Sequence, residues 1–252
     1  KRQGGQVCPN AARVIERCEV ILTSLPNSEA LFDAVDAVIQ VGKRNSILIE
    51  TSTLLIEDKV EARLKLKKKG IHMLDCPLSG TGAQAVTKDL TVYASGSTKH
   101  IQFASPIFMD FAKEYFDLGE FGNGMKMKLI ANLLVAIHNV STAEALLMSQ
   151  RFNIPIDRAV EVLSGGAGGS KMLKIRGPMM NNQGWKRATM KVGIWQKDMK
   201  LIGQALRHLG VPAPLFSATE PIYNAAMSLG HADHDTASVF DVLDRMSRLN
   251  TV

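Results

Sequence analysis

Gly122-Asn123-Gly124-Met125-Lys126-Met127-Lys128, with Asn132 four residues on, is the stretch at which this 252-residue chain changes character. Before it, residues 19–24, 46–50, 71–75 and 90–94 read as short apolar strands. Between them, 27–40, 54–69 and 98–113 read as helices, the first capped by Asn27 and the second stopped by Gly70. Strands separated by helices predict an α/β layer with a mainly parallel sheet. After it, 125–151 contains no strong helix breaker and is apolar on most faces, which predicts one helix roughly 40 Å long and largely buried. Further helices are expected near 155–163, 170–180, 189–209, 213–229 and 235–247. Residues 1–122 are thus expected to form the α/β domain, and 123–252 an all-helical domain opening with a long interdomain helix.

The same stretch carries chemistry. Lys128 and Asn132 stand at i and i+4, so an ammonium and an amide project from one helical face. Gly122 and Gly124 leave the helix N-terminus open to close approach by a ligand. Lys126 reads as a solvated neighbour. Upstream, Ser79-Gly80-Thr81-Gly82 follows a strand and offers hydroxyl and backbone N–H donors to an anion. Together these features suggest an enzyme acting on a small, oxygen-rich substrate.

Composition narrows the classes. The chain is 46% hydrophobic and 21% charged, enough for a sizeable core and unlike a disordered segment. Cys8, Cys18 and Cys76 are odd in number and unpatterned, which suits free, mostly buried thiols in a reducing compartment; a cytoplasmic location is expected. No signal-type apolar run follows Lys1-Arg2-Gln3-Gly4-Gly5, and no uncharged apolar stretch of bilayer length occurs, so no membrane partner is expected. The net charge is +6, and Arg63 to Lys69 is the densest basic run. Glu57, Asp58 and Glu61 precede it, the order a helix dipole favours, so a solvated helix rather than a nucleic-acid surface is expected.

Two tempting motifs have plainer readings. Gly165-Gly166-Ala167-Gly168-Gly169 resembles a phosphate cradle but joins two helices, with Ser170 as an N-cap. His231-Ala232-Asp233-His234-Asp235 has no partner cluster elsewhere, so no metal is expected, and Asp235 suits a helix cap. No Gly-x-Gly-x-x-Gly follows a strand near the start of the chain, although open sheets that bind dinucleotides usually begin that way.

Six motifs, in order along the whole chain, resemble those of the β-hydroxyacid dehydrogenases. That family includes 3-hydroxyisobutyrate dehydrogenase, tartronate semialdehyde reductase, threonate dehydrogenase and, more distantly, 6-phosphogluconate dehydrogenase. The motifs are Thr23-Ser24-Leu25-Pro26-Asn27, Glu50-Thr51-Ser52-Thr53, Asp75-Cys76-Pro77-Leu78-Ser79-Gly80, Gly122-x-Gly124-x-x-x-Lys128-x-x-x-Asn132, Gly165 to Ser170, and Lys197-Asp198. The resemblance implies a Rossmann-like cofactor domain, N-terminally incomplete by roughly 40 residues, about one strand–helix–strand unit. It implies NAD or NADP as cofactor, contacted by Leu25, Pro26, Thr53 and Lys197. It implies Lys128 as the general acid/base, with Ser79, Gly80, Thr81 and Asn132 on a small hydroxy-acid substrate of the 3-hydroxyisobutyrate type or its semialdehyde. A homodimer or homotetramer built through the helical domain is also implied. Two positions depart from the pattern: Thr81 stands where the family has a second Gly, and Ala131 where Asn or His is frequent. Thr81 and the run Thr91-Val92-Tyr93-Ala94-Ser95-Gly96-Ser97 lean toward a four-carbon sugar acid of the threonate type as the alternative substrate. A non-catalytic nucleotide- or chromatin-binding relative, and an imine-reducing one, would each be expected to lose Lys128.

Overall fold

The computed structural model describes residues 4–248; residues 1–3 and 249–252, the outer ends of the two expected domains, lie outside them. The chain divides into two compact units, Lys1–Lys128 and Leu129–Val252. The boundary expected at Gly122 falls at the start of the helix that contains this division.

In the first unit, α1 (Ala11–Arg17) leads to β1 (Val20–Thr23), α2 (Ser28–Val41), β2 (Ile47–Glu50), α3 (Ile56–Lys67) and β3 (His72–Asp75). The three strands are parallel in the order β1-β2-β3, with Thr23, Glu50 and Asp75 in register at their C-terminal ends. Then follow β4 (Leu78–Ser79), α4 (Gly82–Val86), β5 (Thr91–Ala94), α5 (Thr98–Phe111) and β6 (Glu114–Asp117). Here β5 pairs parallel with β6 and antiparallel with β4, and an Asp75–Ser95 bridge links the two sheets. The sequence reading missed β4 and β6. Two residues are too few to show alternation, and in β6 only Tyr115 is partly buried while Glu114, Phe116 and Asp117 face solvent.

Strand residues alternate between two faces. Ile21, Leu48 and Met73 pack with Leu31, Val35 and Val38 of α2 and Ala62 and Leu66 of α3. Ile47, Ile49, Leu74 and Val92 pack with Ile101, Ala104 and Phe108 of α5. Asn27 caps α2 as the sequence predicts, its side chain accepting from Ala30 N–H.

The long helix α6 (Asn123–Arg151) is followed by α7 (Ile156–Gly165), α8 (Lys171–Asn181), α9 (Val192–Leu209), α10 (Pro214–Ser228) and α11 (Val239–Ser247), with short 3-10 turns before α9 and α11. Ala136, Val140, Ala143 and Leu146 of α6 line the core of the second unit with Trp195, Met199, Phe216 and Tyr223. By length and apolarity α6 could cross a bilayer. It is instead the core helix of this unit, since buried Asn139 donates to Tyr223 Oη at 3.1 Å and to the Thr236 carbonyl at 2.8 Å. The expectation that α6 is largely buried needs correcting. Met127, Ile130, Leu134 and Met148 form an exposed apolar stripe along it, Ile130 at 57%.

Ser170 caps α8 by accepting from Leu173 N–H. Asp235 does more than cap. Its buried carboxylate pairs with buried Arg176 at 3.1 Å and accepts N–H bonds from Thr189, Met190 and Ala237, so one side chain ties α8, the segment before α9 and the turn before α11. Burial alone would raise the Asp235 pKa, but Arg176 and the N–H donors outweigh it and hold the carboxyl below its ordinary 3.8. Such a group stabilises the fold at pH values above its unfolded pKa, and that contribution disappears as pH falls through the lower folded value. Asp235→Ala is expected to cost about 3–5 kcal/mol at pH 7, because Arg176 stays buried and unpaired. Urea unfolding should show this deficit, and it should shrink as the pH is taken well below 3.8.

Candidate functional site

The sequence-predicted residues of the first unit gather at the C-terminal ends of its parallel strands, the edge at which open α/β sheets bind ligands. Leu25 and Pro26 follow β1, Thr53 follows β2, and beyond β3 Ser79 ends the short β4, with Gly80 and Thr81 just after it. Leu25 N–H donates to Ser52 Oγ at 2.6 Å, and Thr51 Oγ1 donates to the Thr23 carbonyl at 2.7 Å, so the first two loops are fastened to each other. Ser52, unassigned in the sequence reading, is therefore the residue that positions Leu25.

Lys128 belongs to this group. Its Nζ donates to the Leu78 carbonyl at 2.6 Å, which places the ammonium beside the Ser79 loop. The start of α6 is fixed by two acceptors. Gly124 N–H donates to Ser95 Oγ at 2.9 Å, and Met125 N–H donates to Asp75 Oδ2 at 2.8 Å. Segments 75–78 and 125–128 are thus joined at both ends.

These bonds correct one expectation. Gly124 is small to admit the protein's own backbone, not a ligand. A Cβ there would run into the Tyr93 carbonyl oxygen and lie 2.7 Å from that of Asp75. The helix N–H groups that a ligand might have used are occupied by Ser95 and Asp75.

Behind this junction lies a group of charges that the sequence reading missed. Lys59 of α3 is fully buried, 2.7 Å from Glu50 Oε2 and 2.7 Å from Asp75 Oδ1, and also donates to the Ser52 carbonyl. Burial lowers the Lys59 pKa, but the Asp75 and Glu50 carboxylates outweigh it and raise the ammonium above its ordinary 10.5. Its stabilising contribution is therefore complete below that value and is lost only as pH rises through the higher folded one. The neighbouring Cys76 thiol is pushed far up, first by burial and then by the Asp75 charge, so it stays neutral. A sequence signal for Lys59 did exist: Lys59, Ala62 and Leu66 recur at i, i+3 and i+7 on the buried face of α3.

The Ser79 loop departs in detail from its expected role. Gly80 has φ +124°, a backbone that side chains resist, and a Cβ there would meet Leu90 Cδ2 at 2.5 Å. Thr81 opens α4, and its N–H donates to Gln84 Oε1 at 2.9 Å. That donor is therefore engaged by the protein, and an anion would have to displace Gln84 to use it.

In the second unit, Asn132 and Lys197 meet at a residue given no role in advance. Buried Asp198 accepts from Asn132 Nδ2 at 2.9 Å and pairs with Lys197 Nζ at 2.9 Å. A carboxylate only accepts, so the Asn132 amide nitrogen faces Asp198 and the carbonyl oxygen faces the other way. Asn132 lies one turn beyond Lys128 on α6. The His231 segment is internally engaged, with Nδ1 at 2.7 Å from His234 Nδ1 and Nε2 at 2.9 Å from Asp241. Cys8, Cys18 and Cys76 are free thiols, of which only Cys76 is buried.

The loops after β1 and β2 are short polar turns at one sheet edge, a setting in which open α/β sheets hold dinucleotides. The glycine-rich turn that would cradle the pyrophosphate is not among the described residues.

Residues 1–146 match the family model for the NAD binding domain of 6-phosphogluconate dehydrogenase. Residues 122–243 match that for NAD-binding of NADP-dependent 3-hydroxyisobutyrate dehydrogenase. The chain is 28% identical to 3-sulfolactaldehyde reductase of Escherichia coli, covering 95% of this chain and 81% of that protein. It is 29% identical to L-threonate dehydrogenase of Cupriavidus necator, covering 95% and 82%. A solved 3-hydroxyisobutyrate dehydrogenase from Salmonella typhimurium superposes with a TM-score of 0.84 at 26% identity, covering 92% and 82%.

Gly124→Ala tests the junction directly. Overpacking against fixed backbone is expected to lower stability by about 1–3 kcal/mol. Thermal unfolding should show the loss, and an unchanged midpoint would mean that α6 does not start against the Tyr93 and Asp75 carbonyls.

Proposed function

The chain belongs to the β-hydroxyacid dehydrogenase family, and from that premise we propose that Lys128 is the general acid/base in the oxidation of a small β-hydroxy acid to its semialdehyde, or in the reverse reduction. The protein is an NAD(P)-dependent oxidoreductase, and the nicotinamide cofactor, when bound, would supply the hydride acceptor or donor. In oxidation the Lys128 amine takes the hydroxyl proton; in reduction the ammonium returns it to the carbonyl oxygen. The observation that carries this reading is the 2.6 Å bond from Lys128 Nζ to the Leu78 carbonyl, which aims the side chain at the Ser79 loop.

Ser79, Gly80 and Thr81 bind the substrate carboxylate, with the Ser79 hydroxyl as a side-chain donor and the Thr81 hydroxyl joining it by releasing Gln84 Oε1, to which it donates at 3.4 Å. Asn132 contacts the reacting oxygen. Because Asp198 holds its amide nitrogen, it offers that oxygen its remaining N–H or accepts from the substrate hydroxyl through Oδ1. Leu25, Pro26 and Thr53 contact the cofactor through the loops after β1 and β2. Lys197 approaches its nicotinamide end, with Asp198 limiting its freedom. The α/β portion is read as 1–122 and the helical portion, which carries Asn132 and Lys197, as 123–252. The exposed stripe of Met127, Ile130, Leu134 and Met148 supports assembly into a homodimer or homotetramer through the helical portion. A cytoplasmic setting agrees with three free thiols.

A 3-hydroxyisobutyrate-type acid is the first reading of the substrate. A four-carbon sugar acid is the second, favoured by Thr81, whose hydroxyl adds a polar group where the family pattern has glycine. In full-length protein, kcat/KM for 3-hydroxyisobutyrate and for L-threonate, each with NAD and NADP, decides between them. Lys128→Ala is expected to abolish turnover with the better substrate while cofactor binding stays within a few-fold, roughly. Retained turnover would contradict the role of Lys128, and salt-sensitive DNA binding with no turnover on any hydroxy acid would favour a non-catalytic relative.

A further inference from the structure

Glu50 and Asp75 end adjacent parallel strands in direct register, and both carboxylates are fully buried. Two such groups side by side repel, and one would ordinarily hold a proton. Lys59 lies between them at 2.7 Å from each. A buried ion network is a poor route to stability alone, since apolar residues of similar volume often do as well. What this network does locally is give Asp75 a buried counter-ion on one oxygen, while its Oδ2 accepts from Met125 N–H and from Ser95 Oγ, the hydroxyl that receives Gly124 N–H. An ionised acceptor at a helix N-terminus also matches the positive end of the helix dipole.

We infer that Lys59 is a positioning residue for the reaction: by compensating Glu50, it keeps Asp75 ionised and so holds the first turn of α6, and with it Lys128, in register with the Ser79 loop. Lys59 touches neither substrate nor cofactor in this role; it acts through Asp75 and the helix start. The inference rests on Lys128 as the acid/base.

The titratable groups around the network are Glu50 of β2, Asp75 at the end of β3, and the Cys76 thiol beside it. Ser95 and the first turn of α6 contribute only hydroxyl and N–H donors, and Lys126 and Lys128 follow on that helix. Cys76 stays neutral, so the charge state of the network is set by Lys59 and the two carboxylates. With the ammonium removed, Glu50 and Asp75 share one proton at low pH, and Asp75 can still accept from Met125. As pH rises and that proton leaves, the two charges repel and the helix start loosens. The new feature is thus a loss of activity toward higher pH, inside the range in which the native enzyme is unaffected.

The test uses full-length Lys59→Met, Lys59→Arg and the double variant Lys59→Met/Glu50→Gln. Each is read by the pH profile of kcat and by amide hydrogen exchange at Gly124 and Met125. Lys59→Met is expected to lose roughly 100-fold in kcat above its new ionisation, with little change in cofactor KM, the scale of a misplacement near 1 Å. Amide exchange at Gly124 and Met125 should accelerate over the same pH interval. Lys59→Arg should keep the native alkaline limb. The double variant should recover it, because a lone Asp75 has no carboxylate to repel it. A Lys59→Met profile that superimposes on the native one, or a double variant that fails to recover, would overturn the inference. If Lys59→Met does not fold, the double variant alone carries the test: folding with a native profile supports the linkage, and failure to fold or an altered profile overturns it. Should Lys128→Ala keep turnover, the acid/base reading fails separately, because amide exchange at Gly124 and Met125 reports on Lys59 whichever residue moves the proton.

Discussion

The carboxylate of Asp75 accepts from Lys59 on one oxygen, and from Ser95 and the Met125 N–H on the other, all away from water. Three pieces of the first unit meet there: the end of strand β3, the helix α3 that carries Lys59, and the start of α6. Removing any one partner leaves a buried charge or donor without its complement, which costs more than the bond itself was worth. The position of Lys128 follows from this junction, because its backbone is set one turn beyond Met125 and its ammonium is drawn to Leu78.

A parallel sheet explains why the junction sits where it does. Parallel strands point all their C-terminal ends to one edge, so the loops after β1, β2 and β3 collect there. Glu50 and Asp75 are brought opposite each other by the register that buries Ile49 and Leu74. The fold therefore sets two carboxylates side by side at the C-terminal edge of the sheet, with Lys59 between them. In the second unit Asp198 performs an analogous task, gathering Asn132 and Lys197 around one buried carboxylate. Both arrangements use an acceptor-only group to fix the donors around it.

The α/β-then-helical plan was legible because strand runs and helical periods alternate before Gly122 and only helical periods follow. Caps at Asn27 and Ser170 were legible because a side-chain oxygen preceding a helix has one local use. β4 and β6 were not, being too short or too exposed to display a period. The candidates Leu25, Thr53, Ser79 and Lys128 were named from their place in ordered motifs, but the residues that hold Leu25 and the start of the Lys128 helix were not. Ser52 and Asp198 sit inside quoted motifs, and neither had been given a partner. Lys59 was absorbed into a helix whose acidic start and basic end already had an explanation in the helix dipole. Its burial depends on Glu50 and Asp75, residues distant in sequence, and pairing across 9 and 16 positions leaves no periodic trace. The face of α6 was misjudged for a related reason: apolar residues on most sides of a helix do not reveal which side the rest of the chain leaves uncovered.

The most direct test of Lys128 as the proton-transfer group is chemical rescue of full-length Lys128→Ala with a small primary amine. Turnover of the hydroxy acid is followed by NAD(P)H absorbance as methylamine is added. The account predicts negligible activity without amine, and a rate that rises with the concentration of the free base. Substantial turnover before any amine is added would contradict it.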